Sequence, residues 1–358
     1  MTEFIEAPIV VAKDAIEATC SIMNAKDANL LRGIDSGKKK GFFFKTSDVA
    51  AVCDLMYGFR DLVNEVCLVV TKQGIKIGES ACADNLFLFA NFPSKHFTHF
   101  CCNPHTKEGS DGKKKGEGGW EDEEDEDKIV IALEPRKVHS LLGNNQQRDT
   151  MVWLYDENKP DNLTILRYPH ENGSSENRYE LKLLHLTETG FRAPRETIDY
   201  MLVLNSATMT KIVNGLTSFS HEFDNDWVTI ECSQDKVQFS MTNGCLISHA
   251  IFTLITKSGE SEPVKFKRSR TKDVQNTSDD DFEIGVEEPV ISRKYRLVHL
   301  NQLLKCFSIT RNGILLYIFK DYPIIFEIKI GGLGELRAAL LFKAEDEEGG
   351  DDGDKMEN

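Results

Sequence analysis

The chain has 358 residues, of which 40% are hydrophobic, so it can form about two domains with buried cores and is not a disordered chain. Its formal net charge is −15, from 43 basic and 58 acidic side chains. Two acidic runs, residues 121–127 and 344–358, each carry a net charge of −7 and leave the remainder nearly neutral. The acidic total therefore does not exclude a locally basic surface.

The nine cysteines form no CxxC motif, and their spacing shows no framework of disulfide pairs. We also find no apolar run of the length of a membrane span and no N-terminal segment of signal-peptide type. We therefore expect a soluble protein of a reducing compartment, without a membrane partner.

The first 40 residues form an N-terminal extension whose apolar residues suit one or two helices, and a polar break at 33–40 follows them. From residue 41 the pattern becomes regular. Residues 41–46 form an apolar strand, Ser47 is a candidate N-cap, and a helix follows. Residues 65–71 and 74–78 flank a tight turn, which indicates a hairpin, and residues 85–92 continue the sheet.

A second series repeats this plan from residue 200. Residues 200–204 read as a strand, Ser206 as the next N-cap, and residues 227–232 and 237–240 as a hairpin. Corresponding positions, such as Ser47 and Ser206, lie about 160 residues apart, as a whole-domain duplication requires. The fold class that we predict is α+β: duplicated domains, each with two helices and antiparallel strands, and with the helices on one face.

The repeats set the domain boundaries. Domain 1 spans 41–183, a polar connector spans 184–199, domain 2 spans 200–343, and 344–358 is an acidic tail. Residues 105–127 and 257–281 interrupt the two domains and read as mobile insertions in hairpin loops.

Three strings carry a resemblance to a known family. They are RDLVNEVC at 60–67, YELKL at 179–183 and FEIKIGGLGELRAALLFKAEDEE at 326–348. Together with the duplication and the connector, they make the chain similar to the eukaryotic and archaeal DNA sliding clamps, the proliferating cell nuclear antigen family. The similarity runs from about residue 41 to residue 348 and leaves out the two insertions.

The resemblance implies a processivity factor and not an enzyme. Three identical chains would close head to tail into a ring around double-stranded DNA, with four helices per chain lining the hole and the sheets outside. The ring would tether DNA polymerase and other replication or repair proteins, and a clamp loader is an expected partner. No cofactor is implied, and the expected location is the nucleus or the replication compartment of a reducing cytoplasm.

By the same resemblance, the DNA-facing positions are Arg60, Arg136, Lys137, Lys211 and Lys305. The subunit contact would pair the edge containing Tyr179, Leu181 and Leu183 with the edge of the next chain containing Cys245, Ile247, His249 and Ile251. The pocket for partner peptides would be formed by Leu86, Leu88, Phe191, Ala193, Pro194, Pro323, Ala339, Leu341 and Phe342. The family's ubiquitin-acceptor lysine corresponds to Gln234.

Other classes of function stay open from the residues alone. His96, His99 and Cys101 are able to bind metal, although no CxxC knuckle supports a zinc site. The acidic runs are also typical of a chaperone-like interaction protein, although they do not explain the duplication. The sequence contains no P-loop, GxSxG or HExxH motif, so none of these motifs supports an enzyme.

Overall fold

A computed structural model describes the chain in thirteen stretches: 16–82, 85–104, 127–143, 149–169, 176–185, 200–223, 226–233, 236–242, 248–257, 260–261, 265–270, 291–310 and 313–343. The fold is α+β, with mostly antiparallel strands and few helices, as the sequence predicts.

Residues 16–20 are helical, and the helices that follow are α1 (Ala25–Asp35), α2 (Val49–Phe59), α3 (Pro135–Leu142), α4 (Ser206–Phe223) and α5 (Leu297–Phe307). The first nine strands are β1 (Gly41–Thr46), β2 (Val66–Thr71), β3 (Gly74–Ala81), β4 (Leu86–Pro93), β5 (His99–Asn103), β6 (Ile129–Leu133), β7 (Thr150–Asp156), β8 (Asn162–Tyr168) and β9 (Asn177–Lys182). The remaining strands are β10 (Tyr200–Leu204), β11 (Trp227–Cys232), β12 (Lys236–Thr242), β13 (Ser248–Lys257), β14 (Glu260–Ser261), β15 (Lys265–Arg270), β16 (Ile291–Arg296), β17 (Ile314–Ile318), β18 (Ile324–Ile330) and β19 (Gly334–Leu340).

The chain forms two compact units. Unit 1 comprises Met1–Glu79, Leu88–Arg192 and Lys329–Leu336, and unit 2 comprises Ser80–Phe87, Ala193–Ile328 and Arg337–Asn358. Unit 1 holds the sheet β5-β1-β7-β8-β9 and the strand order β6-β2-β3-β4-β19. Unit 2 holds the strand order β10-β17-β18-β19 and the sheet β14-β13-β12-β11-β16, with β15 beside β13. Strands β3, β4, β18 and β19 contribute residues to both units.

The predicted first hairpin is confirmed, and its turn requires a glycine. Thr71 pairs with Gly74 in the register of β2 and β3, so the turn has two residues, Lys72 and Gln73. Gly74 has φ +145°, and a Cβ there would lie 2.2 Å from Phe92 O. A side chain at this position is therefore excluded by both the backbone conformation and the neighbouring strand.

Both predicted N-caps are wrong by one residue. Asp48, not Ser47, accepts a hydrogen bond from Ala51 N at 3.3 Å and begins α2. Asn205, not Ser206, accepts from Ala207 N at 2.8 Å at the start of α4. Asp and Asn accept N-cap hydrogen bonds as well as Ser does, so adjacent candidates cannot be ranked from sequence.

The described part of the N-terminal extension, which starts at residue 16, belongs to the core of unit 1. The sheet presents alternate residues to α1 and the 16–20 segment, and the cluster that results contains Ile16, Cys20, Met23, Ala28, Leu31, Ile34, Phe43, Val152, Leu154 and Leu166. The other face of the same sheet stacks Phe42 on Tyr155 and Phe44 on Trp153. A sheet buried on both faces explains why the GFFFKT strand is apolar without alternation.

A buried ion pair fixes the extension to the sheet. Asp27 in α1 is only 2% exposed, and its carboxylate accepts hydrogen bonds from Arg178 of β9 and, at 2.7 Å, from Asn24 Nδ2. Lys45 Nζ of β1 donates to Thr19 Oγ1 at 3.0 Å. These contacts compensate for burying polar groups and fix the position of α1 over the sheet.

We therefore expect Leu31→Ala to destabilise the protein by about 2–5 kcal/mol, because it leaves a cavity between α1 and the sheet. The matched control is Ile22→Ala. Ile22 is 45% exposed, so its truncation should cost at most about 0.5 kcal/mol. Urea unfolding measures both values, and equal effects would show that the extension does not contribute to the core.

Candidate nucleic-acid and partner interfaces

The helices of each unit pack in pairs, α2 with α3 and α4 with α5. In α4 the residues facing the core are Met209, Ile212, Val213 and Leu216, each 0% exposed. The opposite stripe, at helical spacing, is exposed and consists of Ala207, Lys211, Asn214 and Ser218. Over residues 206–220 of α4, whose side chains the structure describes, this exposed stripe is thus polar and carries a single lysine.

Helix α5 has the same character. Its core side includes Leu300 and Leu303, both 0% exposed, and the exposed positions of its other side are Val298, Asn301 and Gln302. Lys305 lies half-buried on that side in the last turn, where its charge interacts favourably with the helix dipole. The described faces of α4 and α5 therefore offer an anion two lysines and few repelling carboxylates.

In unit 1, three predicted DNA-facing residues lie close together. The guanidinium of Arg60 lies 4.3 Å from the Tyr57 ring centroid, and its Nη1 lies 3.4 Å from His139 Nδ1. Arg136 Nη2 donates to Arg60 O at 3.4 Å. Asp61 pairs with both arginines, at 3.4 Å and 3.8 Å, so the charge of this cluster is partly neutralised.

The members of this cluster differ in accessibility. Arg136 and Lys137 have 73% and 60% of their side-chain surface exposed, whereas Arg60 has 30%. Lys137 Nζ lies 2.5 Å from Glu134 Oε1. Exposed ion pairs are weak, so Arg136 and Lys137 can reorient toward an external phosphate, while Arg60 is held by Tyr57 and His139.

Burial and the nearby Arg60 charge lower the pKa of His139 below its ordinary value of 6.5, and Asp61 and Asp54 oppose the shift. The imidazole is thus kept neutral near physiological pH, and it can accept a hydrogen bond from Arg60.

The predicted peptide pocket separates into core and surface residues. Leu86, Leu88 and Ala339 are at most 3% exposed, so their side chains are buried. The half-buried members are Pro323, Leu341 and Phe342. Phe191, Ala193 and Pro194 lie outside the described residues, as does Gln234.

The structure describes all three residues of the first predicted interface edge but only part of the second. Tyr179 lies in β9, which pairs with β8 and is the last strand of its sheet, while Leu181 and Leu183 are buried. Cys245 and Ile247 lie outside the described residues. His249 and Ile251 lie in β13.

Strand β13 has partners on both sides. His249 pairs with Thr242 of β12 and with Ser269 of β15, and Ile251 pairs with Ser240 and Lys267. Residues 248–252 therefore present no free edge, and the expected contact with another chain would require β15 to leave. Strand β15 also corrects the expectation that 257–281 is a loop throughout.

The candidate metal ligands do not converge. His96 Nδ1 lies 2.9 Å from Leu333 O, and His99 packs on Phe43 at 4.9 Å between ring centroids. Cys101 Sγ is directed at Ile34 O, 3.8 Å away, and burial raises the pKa of its thiol to about 11, which opposes the thiolate that a metal needs. Among the described residues, no group of three or more His, Cys, Asp or Glu side chains is arranged to hold a metal ion.

The sequence analysis missed one cluster of basic and aromatic side chains in unit 2. Arg296 lies 5.0 Å and Lys343 Nζ 5.6 Å from the Trp227 ring centroid, and Arg293 lies 4.9 Å from that of Phe342. The partners are far apart in sequence. The only local signal is that three of the four residues 293–296 are basic.

No family model matches the sequence. In the part of the chain that the structure describes, no helix combines the length and apolar composition needed to cross a membrane.

The Arg60 cluster makes a measurable prediction. Arg60→Gln removes a positive charge beside His139, so the pKa of His139 should rise. Arg136→Gln should leave the His139 titration nearly unchanged. Proton NMR of the imidazole follows both titrations, and an unshifted pKa in Arg60→Gln would contradict the described contact.

Proposed function

We propose that the chain is a subunit of a ring-shaped DNA sliding clamp that tethers replication and repair enzymes to duplex DNA. The observation that carries the proposal is the position of β19, the closing strand of the second series, beside β4, the fourth strand of the first series. Within unit 1, a Cβ at Gly334 of β19 would lie 2.1 Å from Asn91 O of β4, so the two backbones are in close contact.

The order of elements supports reading the chain as two copies of one plan. With β5, β14 and β15 set aside, the strands and helices run β1-α2-β2-β3-β4 and then β6-α3-β7-β8-β9. They run again β10-α4-β11-β12-β13 and then β16-α5-β17-β18-β19. By this correspondence β9 is the closing strand of the first copy, and β13 is the fourth strand of the second. The pair β19·β4 exists within the chain, so the equivalent pair β9·β13 is the natural joint between chains.

Such a joint is heterologous, because β9 of one chain meets β13 of the next. Heterologous contacts generate rings when the rotation closes and open polymers when it does not. The resemblance to sliding clamps favours closure with three chains. In this assembly β15 must leave the edge of β13 so that β9 of the neighbour can pair there.

The helix faces suit a ring that slides. Each phosphate contact adds affinity and salt dependence, so a surface that holds DNA without stopping it needs few cations among neutral polar groups. The exposed faces of α4 and α5 have this composition, with Lys211 and Lys305 as their basic residues. Arg136 and Lys137 add exposed charge at α3, and Arg60 is the fixed member of that cluster.

Partner enzymes and a clamp loader would dock on the surface that includes Pro323, Leu341 and Phe342, together with the connector residues Phe191, Ala193 and Pro194. A short peptide with an apolar plug is the expected ligand, which combines groove binding with strand pairing. Because Leu86, Leu88 and Ala339 are core residues, we assign the contact to the half-buried residues. The expected location is the nucleus or a replication compartment.

The first test concerns the joint. Leu183 N donates to Asp161 O, just before β8, at 2.9 Å. The backbone N–H groups of the alternate residues 181 and 179 therefore also face β8, and the N–H of Glu180 points to the open side of β9. Glu180→Pro removes that donor and leaves the β8 pairing intact. We expect wild-type protein to sediment as a trimer and Glu180→Pro as a monomer.

Glu180→Ala is the matched control. Glu180 also pairs with Arg178 at 3.2 Å, and alanine removes that ion pair but keeps the backbone donor. The alanine variant should remain a trimer. If Glu180→Pro assembles as well as wild type does, the β9 joint is wrong.

The second test concerns DNA. The double variant Lys211→Gln, Lys305→Gln should weaken binding to duplex DNA, and the slope of log affinity against log salt should fall by about 0.9 for each phosphate that the protein no longer neutralises. The control is Lys72→Gln with Lys159→Gln, two exposed lysines in strand connections. Sedimentation verifies that both variants keep the oligomeric state, and equal slopes in the two double variants would refute the assignment of the helix faces.

A further inference from the structure

Strand β10 of unit 2 exposes two large apolar side chains on the same face of its sheet. Met201 is 61% exposed and Val203 is 54% exposed. They lie opposite Tyr317 and Leu315 of β17, and the side chains of directly opposed residues share one face of a sheet. We call this surface the β10 face and define it by Met201, Val203, Leu315 and Tyr317.

Strand β10 carries none of the residues that usually protect the last strand of a sheet. In the part of unit 2 that the structure describes, β10 pairs only with β17, and its sequence, YMLVL, contains no charge and no proline. Charged residues and proline commonly protect such a strand, and a covering segment is the alternative. Adjacent exposed apolar residues also mark binding surfaces more often than isolated ones do. The β10 face therefore has the composition of a surface that another segment covers.

The equivalent face of unit 1 is covered by a helix. By the order of elements, β1, β7 and β8 correspond to β10, β17 and β18. The registers of these strands match three apolar positions of the two faces: Phe43 with Met201, Leu154 with Tyr317 and Val152 with Leu315. In unit 1 these side chains are at most 2% exposed, because α1 and the 16–20 segment pack on them. The two copies thus share an apolar face, and unit 1 shows that a helix covers it.

An ion pair beside each face shows which kind of helix fits. In unit 1, Arg178 of β9 pairs with Asp27, an acid that α1 supplies. In unit 2 the corresponding arginine is Arg337 of β19, and its Nε donates to Glu327 Oε2 of the same sheet at 3.0 Å. Glu327 lies opposite Leu315 of the β10 face. Because this pair is neutral without an external acid, the helix that fits unit 2 has an uncharged contact stripe.

The described helices of this chain are already in use. Helix α1 packs on its own sheet, α2 packs with α3, and α4 packs with α5. Releasing one of them would expose core residues such as Leu31 of α1 or Leu300 of α5, both 0% exposed. The pair of Asp27 with Arg178 also joins α1 to its sheet. A helix for the β10 face therefore comes from a different protein.

We propose that the β10 face binds an amphipathic helix of a partner protein, and that the contact stripe of this helix is aliphatic and uncharged. Apolar residues at helical spacing would lie over Met201, Val203 and Leu315 as those of α1 lie over the equivalent face of unit 1. The β10 face shares no residue with the surface proposed above for short peptides. The proposal also needs no closed ring, so binding by a protein that sediments as a monomer would still support it.

The probe is a synthetic peptide with the sequence of residues 16–36 of this chain, which contains the stripe that covers unit 1. Asp27→Asn in the peptide gives it an uncharged stripe and removes its ion pair with unit 1. Full-length protein is labelled with ¹³C at the methionine methyl groups and titrated with this peptide. The Met201 signal should shift saturably, with a Kd below about 1 mM. The signals of Met23 and Met209, which are buried, should not shift.

Two exposed valines provide a matched pair of variants. Val203→Glu should weaken peptide binding at least about tenfold, because the helix would bury an unpaired carboxylate. Val298→Glu is the control and should leave the Kd unchanged, since Val298 is 45% exposed on α5, away from the β10 face. If Val203→Glu shifts the Met209 signal and so disturbs the fold, Val203→Thr replaces it. Threonine keeps the β-branched shape, and the lost apolar contact should still weaken binding severalfold.

The other results would overturn the proposal. An unshifted Met201 signal at about 1 mM peptide would show that the face does not bind such a helix. A shift of Met23 without Met201 would assign the peptide to exchange with α1 in unit 1. An unchanged Kd in the Val203 variants would place the peptide elsewhere. If Val203→Glu changes the sedimentation of the protein alone, the β10 face joins copies of this chain, and the partner helix is wrong.

Discussion

Backbone donors and acceptors at the edge strands of a β-sheet need partners. In this chain, other segments of the chain pair with several of these edge strands. Leu184 N donates to Ala132 O at 2.9 Å and covers part of β6, while Lys343 N covers part of β16. Strand β15 covers β13. Among the described residues β9 pairs only with β8. Assembly of the proposed ring therefore reduces to one exchange, in which β9 of a neighbour replaces β15.

The second constraint is the cover that the extension provides. With α1 on one face and aromatic stacking on the other, the sheet that ends in β9 is supported on both faces, and the ion pair of Asp27 with Arg178 joins α1 directly to β9. An edge strand that must accept a neighbour has to keep its register, and side-chain contacts on its faces maintain that register. The extension thus stabilises the strand that the proposed joint uses.

Local sequence patterns predicted the hairpin of β2 and β3 and the helices α2 and α4. Each of these elements follows from a turn or from the spacing of apolar residues within a short segment. The interactions that these patterns missed are non-local. The Ser206 hydroxyl, predicted to cap α4, donates instead to Phe307 O. Strand β15 pairs with β13, although its sequence, KFKRSR, has no apolar alternation. Leu86, Leu88 and Ala339 are buried, and the sequence alone does not distinguish an apolar residue of the core from one of a pocket.

Sedimentation equilibrium of the full-length protein over a wide concentration range tests the central claim, which is ring closure, most directly. The account predicts a discrete species of three chain masses that does not grow as concentration rises, because a closed heterologous ring has no free joint. A monomer at every concentration would contradict it, and so would a series of ever larger open polymers.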